Sequence, residues 1–296
     1  MTWILLVLFY GLSKGIREIF KKKALEKNSV IEVLFVYTFL SFILVAPTAG
    51  HAIGVPLKSL GWIAVKSFVI FIAWIVSFLA IEKLPISIYG VLDLSRVIFS
   101  TLLGVIVLKE HMGAGRIVGL CLVLAGLLML KHKRKDTAAS GNTEQSAATA
   151  ATAAAPAPVY VFFTILSCFL NAVSGTMDKV LMRNMSDTQL QFWYMLFLVL
   201  FYLLYMLVKR VKFNWKSLIR NYWIVALSVL FVLADKALFI ANGIEESQVT
   251  VMTLIKQSAC IMTILGGKVV FHEKNIAYKL LCAAVVIAGI VTGVVV

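Results

Sequence analysis

Apolar residues fall into long runs along this chain, separated by short clusters of lysine, glycine, proline and asparagine. Breaking the runs at those clusters predicts ten helical spans, near 3–20, 30–49, 60–82, 86–108, 114–131, 160–183, 188–208, 222–244, 247–270 and 275–296. A helix needs about 20 apolar residues to cross a hydrocarbon layer, and the strands of a membrane barrel only about 10. Runs of this length therefore predict an all-α membrane protein, in which every backbone polar group is satisfied inside its own helix.

Composition strengthens that reading. The 296 residues are 61% hydrophobic, with a mean hydropathy of +0.96, whereas soluble domains hold about 45–50% apolar residues. The net charge of +14 would point to nucleic acid in a soluble protein. Here most Lys and Arg sit in short loops beside apolar runs, where they orient the chain and meet anionic lipid headgroups, so no nucleic-acid partner is implied. Cys121, Cys168, Cys260 and Cys282 all lie within apolar runs and form no C-x-x-C pair, which marks them as small packing residues rather than a metal site or disulfide framework. Trp3–Phe20 has no basic segment before it and no small-residue cleavage site after it, so it is expected to be a retained helix.

Between the fifth and sixth spans lies Lys131-His132-Lys133-Arg134-Lys135-Asp136, then an Ala/Thr/Ser stretch ending Ala155-Pro156-Ala157-Pro158. Such a composition cannot build a core and predicts a flexible linker over 132–158, between repeats at 1–131 and 159–296. Sliding the sequence by 163 residues pairs the later spans of the two halves. Ile81/Ile244, Glu82/Glu245, Ser95/Ser258, Ile98/Ile261, Leu102/Leu265, Gly104/Gly267, Val107/Val270, Glu110/Glu273, Ala125/Ala288 and Gly126/Gly289 coincide. A shift of 157 or 158 aligns the earlier parts, placing Lys22 opposite Lys179. Five spans is an odd number, so the second copy enters the membrane from the opposite face and the repeats are inverted. Inverted repeats recur in secondary transporters, with the substrate near the midplane between them.

Each half runs from Gly104 or Gly267 to a closing Glu110 or Glu273, then to a last helix with Ala125-Gly126 or Ala288-Gly289. Each first helix leads to a K-x-x-L-like segment, Lys22…Leu25 and Lys179…Met182. In this layout the chain resembles the EamA-type ten-helix permeases of the drug/metabolite transporter superfamily, although Tyr10-Gly11 stands where an aromatic, Trp-Gly-like opening is common. The resemblance implies ten helices in two inverted repeats and transport of a small metabolite by alternating access, with an amino acid or organic anion as cargo. It also implies a bacterial plasma membrane, contact with lipid, a monomer or weak homodimer, and room for proton or ion coupling. No cofactor is expected. The absence of a G-x-x-x-x-G-K-[ST] loop agrees with transport that is not driven by ATP.

Ionisable groups deep in a span are costly, so they mark candidate chemistry. Asp93 and Arg96 are spaced i, i+3 in the fourth span, Asp235 and Lys236 adjoin in the eighth, and Lys256 and Gln257 lie near the centre of the ninth. Under the 163-residue shift Asp93 is the counterpart of Lys256, so opposite charges hold equivalent positions. These six, with Trp74 and Tyr89 as aromatic stacking partners, are the candidate substrate-binding residues. The plainer alternative makes Asp93–Arg96 and Asp235–Lys256 structural ion pairs that fix helix register. Arg17, Glu18 and Asp178 approach the ends of the first and sixth spans. Lys14 and Lys66 read as lysines that snorkel to the interface. Glu110, Glu273, Gly104, Gly267, Lys22 and Lys179 read as structural, the glutamates as caps or latches. The Gly11-x-x-x-Gly15, Gly115-x-x-x-Gly119 and Gly289-x-x-x-Gly293 spacings predict close helix contacts.

With the N-terminus outside, fifteen loop Lys and Arg fall inside and five outside, which favours external termini. The resemblance favours cytoplasmic ones. A membrane-embedded prenyl- or lipid-modifying enzyme is disfavoured, because His51, His111, His132 and His272 lack ligand spacing and no carboxylates cluster for a metal. A non-transporting scaffold would leave the mid-span charges without a use.

Overall fold

The computed structural model describes residues 2–108, 158–211, 220–244, 255–273 and 275–295, with single positions at 115, 117–119, 121, 122, 125, 126, 129, 214, 217, 218 and 252. The linker expected at 132–158 lies outside them but for Pro158, as does Glu110.

Among the described residues every long element is helical: α1 (Thr2–Leu25), α2 (Val30–Val45), α3 (Leu57–Lys83), α4 (Ile86–Asp93), α5 (Arg96–Leu108), α6 (Pro158–Leu181), α7 (Asp187–Lys209), α8 (Tyr222–Gly243), α9 (Ser258–Phe271) and α10 (Ile276–Val295). A short 3₁₀ segment, Ala46–His51, follows α2. Among the described residues six stretches are long and apolar enough to cross a membrane: Val30–His51, Leu57–Lys83, Ile86–Val107, Pro158–Leu181, Asp187–Lys209 and Tyr222–Ala241. The fold is that of an all-α membrane protein with ten spans in two inverted repeats.

Local chemistry sets the helix ends, and the repeats share it. Glu32 Oε2 accepts the Ser29 N–H at 3.0 Å at the start of α2. Ser186 and Gln189 exchange the reciprocal pair at the start of α7, at 3.0 and 3.2 Å. Ser29 and Ser186 coincide under the 157-residue shift, so one S-x-x-E/Q box opens the second span of each half. Pro56 and Pro85 precede α3 and α4, where a missing N–H has no cost.

Two predicted spans are interrupted. The fourth breaks at Leu94-Ser95 between α4 and α5, where the Ser95 N–H bonds to Leu92 O at 3.0 Å in a tight turn. In the ninth, residues 255 and 256 are helical, Gln257 is in a turn, and α9 starts at Ser258. Leu94-Ser95 and Gln257-Ser258 are equivalent under the 163-residue shift, so both repeats are broken at one place.

Packing is dominated by contacts between the halves. The first helix of each repeat lies on the third of the other, α1 on α8 and α6 on α3, and also on the broken fourth, α1 on α9 and α6 on α5. The second helices α2 and α7 pack together, as do α4 and α9. Gly11 and Gly15 are the reason α1 can approach the 255–262 region. A Cβ on Gly11 would stand 2.8 Å from Ile255 O, and one on Gly15 2.7 Å from Ala259 O, which is the close-approach role expected of small residues. Gly126 similarly clears space for Cys282 and Val286 of α10. Aromatic rings fill the centre, with Tyr37 stacked on Trp74 at 5.3 Å and edge-on to Phe231 at 5.2 Å.

Candidate functional site

Four ionisable side chains of α1, Lys14, Arg17, Glu18 and Lys21, are linked by i, i+3 and i, i+4 spacings and so share a face. That face is turned into the bundle, and Lys14, Arg17 and Glu18 are buried. Each cation has found a carboxylate. Lys14 Nζ is 2.5 Å from Asp93 Oδ2, Arg17 Nη1 is 3.3 Å from Asp235 Oδ1, and Lys21 Nζ is 2.9 Å from Glu18 Oε1.

Asp93 closes α4, where the carbonyl end of the helix dipole disfavours an anion. Two cations offset this. Lys14 holds one carboxylate oxygen, and Arg96, the first residue of α5, donates to the other at 2.7 Å. The helix break thus has a carboxylate and a guanidinium facing one another across two residues. The Cys168 thiol lies 3.7 Å from Asp93 Oδ1.

Among the described residues two ion pairs join the repeats, and both link a first helix with the opposing third helix. Arg17 (α1) meets Asp235 (α8) and is sandwiched by the rings of Tyr10 and Phe231, 5.5 and 5.0 Å from its guanidinium carbon. Lys66 (α3) meets Asp178 (α6) at 2.9 Å, with its ammonium 3.6 Å from the centre of the Tyr194 ring. The polarity is reversed between the two, with the cation on the first helix in one pair and on the third in the other.

Lys256 stands just before the second break, 5.8 Å from the Tyr10 ring centre. It is within electrostatic range of Lys14, Arg96, Asp178 and Asp235, yet no carboxylate among the described residues lies within ion-pair distance. Gln257 is buried at the break itself. Asp93, Arg96, Asp235, Lys256 and Gln257 therefore belong to one constellation with Lys14, Arg17, Lys66 and Asp178.

Other candidates sit elsewhere. Lys236 diverges from its neighbour Asp235 and pairs with Asp187 at 2.5 Å and Thr188 at 2.7 Å, in a partly exposed position. Trp74 packs against Tyr37, Tyr194 and Phe231. Tyr89 is fully buried and shares a 2.8 Å hydrogen bond with Ser77. Asp235 takes Arg17 as its partner rather than Lys256.

Lys14 and Lys66 correct the snorkelling expectation, since their side chains are 9% and 2% exposed and both are ion-paired. Their helices turn them toward carboxylates on neighbouring helices, so the ammonium groups have no need of the interface. The Lys14/Arg17/Glu18/Lys21 stripe was a usable signal, but nothing marks Lys66 in sequence.

Glu273 sits between the repeats. Its carboxylate accepts the Ile86 N–H at 2.6 Å, the Ser87 N–H at 3.3 Å and the Ser87 hydroxyl, and it pairs with Lys279 at 3.1 Å. It thereby covers the orphan donors that open α4. Gly267 makes room for it, since a Cβ there would be 3.1 Å from Glu273 Cδ. Lys22 donates to Leu84 O at the end of α3, Gly104 is buried in α5, and Lys179 is half-buried near the end of α6.

Both halves match the profile described as the EamA-like transporter family, over residues 1–131 and 158–294. Solved structures share the fold, among them a crystal structure with a TM-score of 0.63 at 15% identity over 98% of this chain and 97% of that one. No curated protein matches the sequence.

Proposed function

Because this chain belongs to the EamA-like transporter family and is thus a membrane transporter of small molecules, we propose that it moves an amino acid or organic anion by alternating access, without ATP. The observation that carries this reading is the pair of helix breaks, Leu94-Ser95 and Gln257-Ser258, at equivalent places in two inverted repeats. At both places the backbone stays right-handed helical, at Leu94 and at Gln257, so each is a tightened turn within its span, and a mid-helix 3₁₀ turn often marks a functional hinge.

In this reading the charged constellation around the breaks holds the cargo. Arg17–Asp235 and Lys66–Asp178, both closed in this structure, are the contacts that open and re-form as one repeat rocks against the other. Asp93, Asp178 and Asp235 are the groups available to carry a coupled proton. Repeats at 1–131 and 159–296, tethered by the 132–158 linker, move as the two bodies.

Purified protein in liposomes, loaded with an unlabelled metabolite pool and given labelled members of it outside, tests the proposal by counterflow. Saturable exchange without ATP, lost in Asp93→Asn with folded yield retained, is the expected result. Folded protein that exchanges no solute of any class, with or without a proton gradient, would refute it.

A further inference from the structure

The constellation does not balance its charge. Arg17–Asp235 and Lys66–Asp178 each cancel, as does Lys21–Glu18. Asp93, however, is shared by two cations, Lys14 and Arg96, and Lys256 has no carboxylate partner among the described residues. Among the described residues the excess is two positive charges, one beside each turn, and Lys256 lies within electrostatic range of Lys14 and Arg96 as well as of Asp178 and Asp235, which Lys66 and Arg17 already hold. Like charges held together away from water are strongly unfavourable unless an anion joins them.

Hydrogen bonding gives a second, separate indication. Arg17 Nε, Arg96 Nε, Ser95 Oγ and Ser258 Oγ are all buried with no hydrogen-bond partner. Each is able to donate, and Ser95 and Ser258 are the same position of the two repeats, each immediately beside its break. Against these four donors stand two carboxylate oxygens without a hydrogen bond, Glu18 Oε2 and Asp178 Oδ1, the second of them ion-paired with Lys66. Buried donors left unmatched are costly. A neutral ligand with oxygen acceptors would satisfy these donors but not the excess charge, whereas an oxyanion supplies acceptors and charge together.

Resting on the transporter reading above, we infer that the cargo is a compact dianion, a small dicarboxylate or phosphate monoester. One acidic group lies toward Arg96 and Ser95, and the other charge is met by Lys256 and Ser258. An amino acid zwitterion, with no net charge, would leave the excess uncompensated.

The test uses the full chain in phosphatidylcholine vesicles and in detergent, with succinate and glycerol 3-phosphate as dianion probes. Lactate serves as monoanion, alanine as zwitterion and ribose as neutral solute. At least one dianion is expected to raise the melting temperature and to drive counterflow at least tenfold better than the other classes. Lys256→Gln is expected to weaken that dianion tenfold or more, and Lys256→Arg to retain it, both with normal size-exclusion profiles. Exchange of alanine, lactate or ribose in preference to either dianion would overturn the dianion inference and leave the transporter reading intact. So would dianion binding unchanged in Lys256→Gln. Failure of every solute to bind or exchange would overturn both.

Discussion

Removing the Glu273 carboxylate tests how much the contact between the repeats depends on one side chain. Glu273→Ala leaves the Ile86 and Ser87 N–H groups without acceptors and Lys279 without its anion, all within a site where the glutamate and lysine side chains are each 10% exposed. Breaking a buried pair by deleting one partner costs about 3–5 kcal/mol, and the orphaned amides place this case toward the upper part of that range. At about 2 °C per kcal/mol for a chain of this size, the loss is roughly 6–10 °C in the melting temperature followed by fluorescence-detected size exclusion. Lys279→Met in the Glu273→Ala background removes the stranded ammonium and should recover roughly half of the loss. Glu273→Gln keeps one acceptor and should fall between wild type and Glu273→Ala. A loss below about 1 °C for Glu273→Ala, or strict additivity with Lys279→Met, would refute the latch.

Other substitutions probe the remaining contacts. Gly15→Leu drives a side chain against Ala259 and Met262 and is expected to abolish folded yield, while Gly175→Leu, with nothing within 4 Å, should be tolerated on the same gel-filtration assay. Arg17→Met alone should destabilise by about 3–5 kcal/mol by stranding Asp235, and Arg17→Met/Asp235→Leu should be markedly more stable in thermal unfolding yet inactive in counterflow. Lys66→Met follows the same logic, with Asp178→Leu as the compensating change. Ser95→Ala and Ser258→Ala should leave the melting temperature within about 1 °C, because neither hydroxyl has a partner to lose, and should raise the substrate KM.

Sequence carried the architecture because span length, charge clusters and a repeat shift are local or periodic features. The 163-residue offset that pairs Ser95 with Ser258 makes the two turns equivalent once the structure shows them, but nothing in the sequence marked either turn. Hydropathy sees Ile86–Val107 as one apolar stretch, and no glycine or proline stands at Leu94-Ser95 to mark the turn. Partners were the harder part. Asp235 pairs with a residue 218 positions away, and nothing in the eighth span distinguishes Arg17 from Lys256 as its counter-ion. Lys66 looked peripheral because a single lysine in an apolar helix carries no directional mark. The Gly267…Glu273 repeat was readable as a pattern, but its cause, a side chain folding back across a glycine to reach another helix, needs three dimensions.

The exchange of first and third helices between the halves has a consequence for how the chain is made. Arg17 enters the membrane early, in a helix that is not among the apolar membrane-length ones, and its carboxylate arrives 218 residues later. At about 5–20 residues per second, the ribosome needs roughly 10–40 s to deliver it. Throughout that interval α1 holds charges that disfavour the bilayer by a few kcal/mol. The nascent first half is therefore an unfinished surface, and the insertion machinery must keep α1 sheltered, or let it slip back and re-enter, until α8 emerges.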